Sequence, residues 1–389
     1  MSDSLNSIES VKTIAANAEG DASLAGSPEF CRQTPVNAKG GTATVYQAWI
    51  PVGSQYRSHS YILGECAHSR RPACYQVAVK KYQEVWKDAY EREKLVLPML
   101  GNTSDVPVFR YLGSFAQSSN RSTSYNILLE FAELDLDEFW ADLSNVPPVQ
   151  SDQIVQFWAS LFHIAKAIEA LHCMKANIRG QEKRFHGWHA DIKPDNILLV
   201  GKDFKLADFD FTQVAENRQR GGQNEATRTH ISGETNTCGA PEFLRAEKLQ
   251  TNTHLAQAID IWSFGCVLSM AATWMVLSFQ GIRQYEASRI VASRKHWDNE
   301  AADRFHDGYD ILPEVQQWHA YLMDHVRVSD SITCRVLQLV ERGLLKGEAA
   351  HRLTAAQLCT ELDQLLQQAE KDRTESSLDP EIKRVLSTV

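Results

Sequence analysis

The sequence predicts an α+β protein of two lobes, a small and mostly antiparallel β lobe followed by a larger, mainly helical one. Two observations carry this. Short β-like runs dominate residues 33 to about 131 (Ala43 to Ile50, Tyr75 to Lys81, Val108 to Phe115, Tyr125 to Phe131), with one helical stretch at Val85 to Leu100. Beyond about 135 the period changes: Ile154, Phe157, Trp158, Leu161, Ile164, Ile168 and Leu171 recur three and four apart, which makes one long helix with a broad buried face. Further helices fit 256–280, 332–346 and 354–369.

A chain of 389 residues, 43% of them hydrophobic, can bury a sizeable core. Its formal charge of -9 is spread along the chain, so there is no basic stripe to hold a phosphate backbone, and nucleic acid is not an expected partner. The eight cysteines lack the short paired spacing of a zinc site and read as the reduced thiols of cytoplasm or nucleus. No apolar core flanked by basic residues marks a secretory signal at the start. Residues 1–32, rich in Ser, Asn, Ala and Glu, read as a flexible arm, 33–368 as the folded domain (small lobe about 33–131, large lobe about 135–368) and 369–389 as a charged tail.

Ile261 to Ile282 runs 22 residues without a charge. That length can span a bilayer, but Ser, Thr, Gly and Gln interrupt it, and a buried core helix is expected instead of a membrane partner. Polar insertions are expected at Pro51 to Pro72 and Met174 to Phe185, and a long mobile loop at Thr212 to Thr237.

Chemistry-bearing residues fall within these elements. In "YQVAVKKY", strand alternation places Gln76, Ala78 and Lys80 on one face. Thirteen residues after Lys80 comes Glu93, which shares a helical face with Val96, Leu97 and Leu100 and so points inward. A carboxylate on an apolar face needs a cation, and Lys80 is at hand. "NAKGGTATVYQAW" puts Gly40 and Gly41 before a β-branched run, a turn whose backbone can lie close to phosphates. In "HGWHADIKPDNILLV", Asp191 could accept a hydroxyl proton, Lys193 could neutralise a phosphoryl group and Asn196 could hold a metal. The hairpin of Ile197 to Val200 with Phe204 to Ala207 would bring Asp208 of "LADFDFT" near Asn196, giving two oxygen ligands for magnesium.

Together with "GAPEF" and "DIWSFG", this ordered set resembles the eukaryotic protein kinases over roughly residues 33 to 368. The resemblance implies a bilobal kinase-like fold, ATP and Mg2+ (or Mn2+) as cofactors, and a protein presenting Ser or Thr as substrate; it implies no oligomeric state. It assigns Lys80 to the α- and β-phosphates in a pair with Glu93, Asp191 to the base, Lys193 to the γ-phosphate, and Asn196 and Asp208 to the metal. Gly40, Gly41, Val45 and Ala78 would line the nucleotide site. Leu129 takes the gatekeeper position, Glu130 and Ala132 would offer backbone hydrogen bonds to adenine, and Asp135 would hold the ribose. Arg352 would pair with Glu242, and Lys193 and Thr235 match the serine/threonine branch.

Four positions depart from the pattern. Ala190 stands where an arginine usually precedes the catalytic aspartate, so activity is not expected to depend on a phosphate at Thr227, Thr229 or Ser232. Ala38 and Ala43 replace two glycines of the phosphate-covering turn. Asp210 replaces the glycine of Asp-Phe-Gly and is expected to take a left-handed conformation and to bring a second carboxylate to the metal. Two alternatives follow: a pseudokinase that binds nucleotide as a scaffold, and a small-molecule kinase of the antibiotic type, which lacks the Ala-Pro-Glu.

Overall fold

The computed structural model describes residues 28, 30–36, 41–51, 63–64, 74–101, 105–119, 122–178, 181–216, 237–245, 253–296 and 302–378. The expected arm lies outside these except at its end, and so do Ala38, Gly40, Thr227, Thr229, Ser232, Thr235, most of the 51–72 insertion and the last residues of the tail.

The small lobe is a sheet in the order β1-β2-β4-β6-β5, with β3 paired to β4. Its strands are β1 (Arg32–Pro35), β2 (Ala43–Pro51), β3 (Leu63–Gly64), β4 (Cys74–Gln83), β5 (Tyr111–Ser118) and β6 (Thr123–Leu129), all antiparallel to their neighbours. Alternation decides its two faces. Val77 and Val79 turn outward into a small core with Ala48, Ile50, Phe115 and Leu128, covered by Phe30, so the end of the expected arm is packed against the sheet. Ala78, Lys80 and Tyr82 turn inward, where helix α1 (Lys87–Gly101) lies beneath them. The strand expected from Val108 starts instead at Tyr111, because Val108 makes an isolated bridge to Leu206 in the other lobe.

Past β7 (Leu134–Asp135) come α2 (Leu136–Ala141) and α3 (Ser151–His172), the long helix that the three-and-four spacing predicts. The segment expected as a polar insertion after α3 is a hairpin, β8 (Met174–Ile178) and β9 (Gln181–Trp188). Burial of Phe185 and Trp188, on opposite faces of the strand, holds β9 down, and a Cβ on Gly187 would meet the Leu171 carbonyl oxygen at 2.8 Å, so only glycine lets β9 pass this close to α3. Next are β10 (Ile197–Val200), β11 (Asp203–Leu206) and β12 (Gln213–Glu216). β10 and β11 form the expected hairpin, joined by β7. β12 pairs with β9, so the first residues of the expected mobile loop are in fact a strand.

After α4 (Pro241–Arg245), α5 (Thr253–His296) runs well past the expected end at 280. It breaks at Ser278 (φ 59°) and continues because Ile282, Tyr285, Arg289 and Ala292 bury one side of its second half. α6 (Pro313–Asp324), α7 (Thr333–Leu339, extended by a wider turn over Val340–Leu344) and α8 (Ala355–Leu378) complete the large lobe. Among the described residues, α3 and the 256–295 part of α5 are long and apolar enough to cross a membrane, and in the fold 50% and 83% of the most apolar 18-residue stretch of each is buried. One apolar cluster runs from Ala78 and Tyr82 through Phe209 and Trp158 to Ala369.

Candidate active site

The cleft is built from both lobes. β4 carries Lys80 inward, and α1 carries Glu93, one of its buried residues, to meet it: Lys80 Nζ donates to Glu93 Oε2 at 2.8 Å and to Asp208 Oδ1 at 2.6 Å, and lies 3.9 Å from Asp210 Oδ2. The Tyr82 hydroxyl, two residues on along the same strand face, also donates to Glu93. Burial alone would discharge Lys80, but Asp208 and Glu93 outweigh it and hold its pKa well above the ordinary lysine value. Burial likewise opposes ionisation of Asp208, and Lys80 reverses this and keeps it an anion. Asp210 behaves oppositely: burial, with Asp208 and Glu93 nearby, overcomes the pull of Lys80 and pushes its carboxyl up to about 7.

The loop between β9 and β10 holds the second group. Lys193 Nζ donates to Asp191 Oδ2 at 2.8 Å, and Asn196 Nδ2 donates to the same oxygen at 2.9 Å and to the Asp191 carbonyl at 2.7 Å. Burial disfavours the Lys193 charge, and Asp191 more than restores it, leaving its pKa raised. The Ala207 N–H donates to the Asn196 carbonyl at 2.9 Å, and this bond brings Asp208, the next residue, alongside.

Sequence reasoning missed what holds this loop. Asp260, the first charge before the apolar run of α5, is fully buried and accepts the N–H groups of His189 (2.8 Å, Oδ2) and Ala190 (3.0 Å, Oδ1), with His172 Nε2 at 2.9 Å. A charged residue at the edge of an uncharged run was the available signal. His189 Nδ1 accepts the Asp191 N–H at 3.3 Å, and its Nε2 donates to the Ala207 carbonyl at 3.0 Å. Its ring packs edge-on to Phe209, 4.8 Å between centroids.

The expectation for Asp210 needs correction. The left-handed residue of the turn is Asp208 (φ 65°), and Asp210 is not among the described non-glycine residues with positive φ. Its side chain is fully buried, and Oδ2 accepts the Thr42 hydroxyl at 2.5 Å. Its carbonyl accepts Arg92 Nε from α1 at 2.7 Å, while the Phe209 N–H reaches Glu93 Oε1 at 3.3 Å.

At the nucleotide end, Val45 stands opposite Lys80 across β2 and β4, and Ala78 opposite Leu129 across β4 and β6. The Glu130 N–H already donates to the Arg110 carbonyl at 3.0 Å, which narrows its expected offer to adenine to the carbonyl, and its carboxylate pairs with Lys205 at 2.7 Å. Ala132 sits in the stretch leading to β7, and Gly41 has open space around its Cα. Asp135 is the N-cap of α2, its Oδ1 accepting the Glu138 N–H at 2.7 Å. Glu242 and Arg352 pair at 2.8 Å, with the guanidinium also donating to the Ala258 carbonyl at 2.9 Å.

The donor set suits a hard divalent cation such as Mg2+. Asn196 spends its amide nitrogen on Asp191, which leaves its carbonyl oxygen to face a cation beside Asp208. Buried Asp210 Oδ1 meets no N–H or O–H donor among the described residues. Oxygens held this way gain from a cation.

Comparison with known proteins gives a consistent picture. A model of the protein kinase domain matches residues 64–362. Serine/threonine-protein kinase mph1 of Schizosaccharomyces pombe is 25% identical over 242 residues, 60% of this chain and 29% of that protein. Mitogen-activated protein kinase KSS1 of Saccharomyces cerevisiae is 20% identical over 256 residues, 59% of this chain and 62% of that protein. 3-Phosphoinositide-dependent protein kinase B of Dictyostelium discoideum is 34% identical over 109 residues, 28% of this chain and 11% of that protein. The chain thus covers less than two thirds of the length of each of these relatives.

Proposed function

The chain belongs to the protein kinase domain family, and on that premise we propose that it transfers the γ-phosphoryl group of ATP to a serine or threonine hydroxyl of a protein in the cytoplasm or nucleus. The observation that carries the reading is the meeting of Lys80, Glu93 and Asp208 within 2.8 Å contacts, next to the Asp191, Lys193 and Asn196 loop. Lys80, kept charged by its carboxylates, binds the α- and β-phosphates. Asp191 receives the proton of the attacking hydroxyl, and Lys193 neutralises the phosphoryl group in transit. Asn196 and Asp208 hold Mg2+ or Mn2+, which when bound neutralises charge developing on the phosphoryl oxygens. Val45, Ala78 and Leu129 enclose the adenine, which meets the Glu130 carbonyl and the Ala132 backbone. The serine/threonine class rests on Lys193 and Thr235 and on relatives such as the serine/threonine-protein kinase mph1.

A second reading is a scaffold that binds nucleotide without transfer. One observation favours it: the buried side chain of Asp210, where the pattern has glycine, lies 3.9 Å from Lys80 Nζ and is a further acceptor with which phosphates must compete. The two separate in a transfer assay on a generic basic protein with Mg2+ or Mn2+. Transfer by wild type that is lost in Asp191→Ala and Lys80→Ala supports the kinase. Nucleotide binding by folded wild type without transfer supports the scaffold, and transfer that survives both changes defeats the assignment of the site.

A further inference from the structure

The two walls of the cleft are joined at a residue that most such sites leave without a side chain. Thr42 stands directly after Gly41 and directly before β2, on the turn expected to cover the phosphates, and its hydroxyl donates to Asp210 Oδ2 at 2.5 Å across 168 residues of sequence. Asp210 comes from the opposite wall, beyond β11, and is fully buried. Its carbonyl is held by Arg92 of α1 at 2.7 Å, so the acceptor that Thr42 finds is fixed in place. Glycine at 210 could still receive Arg92 through its carbonyl, but it could not reach Thr42.

We propose that Asp210 is a positioning residue whose side chain ties Thr42, directly before β2, to the large lobe, holding the two walls of the cleft together over nucleotide. This deepens the reading of the cleft as a nucleotide site and rests on it. Asp210 Oδ2, the oxygen that takes the Thr42 hydroxyl, also lies 3.9 Å from Lys80 Nζ, so Thr42→Val, which leaves Asp210 in place, isolates the strap from the Lys80 cluster, and its loss is read in how long nucleotide stays.

The test uses the full chain as wild type, Thr42→Val, Asp210→Gly, Asp210→Asn and the Thr42→Val/Asp210→Gly double variant. The dissociation rate of a fluorescent N-methylanthraniloyl ATP is measured with Mg2+ and again with chelator, alongside hydrogen exchange of residues 41–45 without nucleotide. Losing this part-buried hydrogen bond should speed release several-fold, up to about tenfold, in either single variant. The double variant should be no faster than the singles, because both remove the same bond. Asp210→Asn, which keeps an acceptor oxygen, should stay within about twofold of wild type. Persistence of the pattern in chelator separates the strap from any effect through the cation. Additive effects in the double variant, or release unchanged in Thr42→Val, would overturn the proposal. If wild type binds no nucleotide, the nucleotide reading fails, and exchange at 41–45 still decides the contact: faster in Thr42→Val if the strap exists, unchanged if it does not.

Discussion

The carboxylate of Asp260 accepts the backbone N–H of Ala190 at 3.0 Å, at a residue whose φ is 67°. An L-residue in the left-handed region costs about 1–2 kcal/mol, so the conformation persists only where its surroundings hold it. Asp191 follows directly, and its placement therefore depends on a residue 69 positions away in α5. In Asp260→Asn an amide NH2 replaces one acceptor and faces a buried donor. Unfolding in urea should show a loss of about 1–3 kcal/mol, and the turnover of phosphoryl transfer should fall at least tenfold. A variant as stable and active as wild type would contradict this account of the loop.

Glu242 and Arg352 form a buried pair, with Arg352 also 5.0 Å above the Trp262 ring. Removing one partner leaves the other charge buried. Arg352→Leu should cost about 3–5 kcal/mol, and Glu242→Gln less, because the neutral amide keeps an oxygen for the guanidinium. Equal losses in chemical denaturation would show that the charge of Glu242, and not merely an oxygen beside the guanidinium, holds the pair.

His306 is buried between the rings and backbone of the large lobe; burial, then the charge of Arg304, lowers its pKa to about 4. The Gly308 N–H donates to its Nδ1 at 2.9 Å, and its Nε2 donates to the Gly239 carbonyl at 3.1 Å, just ahead of Ala240-Pro241-Glu242. The unfolded chain binds the proton more readily, so the stability this residue contributes is complete above about 6.5 and is lost as pH falls towards 4. The span corresponds to roughly 3 kcal/mol. Denaturant midpoints at pH 7.5 and 4.5 should converge for wild type and His306→Gln as the medium is acidified, and a constant gap would refute the assignment.

Asp210 gives the opposite slope. Its folded pKa, about 7, lies above the carboxylate's ordinary 3.8, so the folded protein holds a proton that the unfolded chain releases. That contribution is complete below about 4 and is lost as pH rises through about 7. In chelator, Asp210→Asn should therefore gain on wild type between pH 5 and 8 by an amount on the order of a few kcal/mol. Parallel stability curves would show that no proton is held there.

Ala190 leaves the residue before Asp191 without a cation to receive a phosphate. Replacing Thr227, Thr229 and Ser232 together by alanine should leave phosphoryl transfer largely intact, measured as kcat/KM on the same acceptor protein. A near-complete loss would show that the segment is switched by modification after all.

The parts of the site that could be read from sequence were those fixed by local periodicity. The helical face of Glu93 and the strand face of Lys80 each pointed inward, and the two meet at 2.8 Å. The β10–β11 hairpin brought Asp208 beside Asn196 because a short turn between apolar runs has few alternatives. What escaped was set by distant contacts. β8 and β9 are polar enough to read as an insertion, and their pairing depends on β12 and on the close passage over Leu171. The second half of α5 carries Arg283, Glu286 and Arg289, which mask its buried side in the sequence, because the Arg289 guanidinium is enclosed by the distant Phe305 ring at 4.3 Å as well as by Tyr285 at 4.1 Å. For Asp210 the residue type was read correctly as an anomaly and its conformation wrongly, since nothing local to the motif encodes a partner at Thr42.

Among the described residues, one apolar cluster begins beneath the small sheet, takes in Phe209 and continues through the large lobe to Ala369. The cleft is therefore a groove cut into one cooperative body, and not a seam between two bodies that melt separately. A calorimeter should record a single heat-absorption peak, and a molecule seated in the groove should move that whole peak upward instead of splitting off a shoulder.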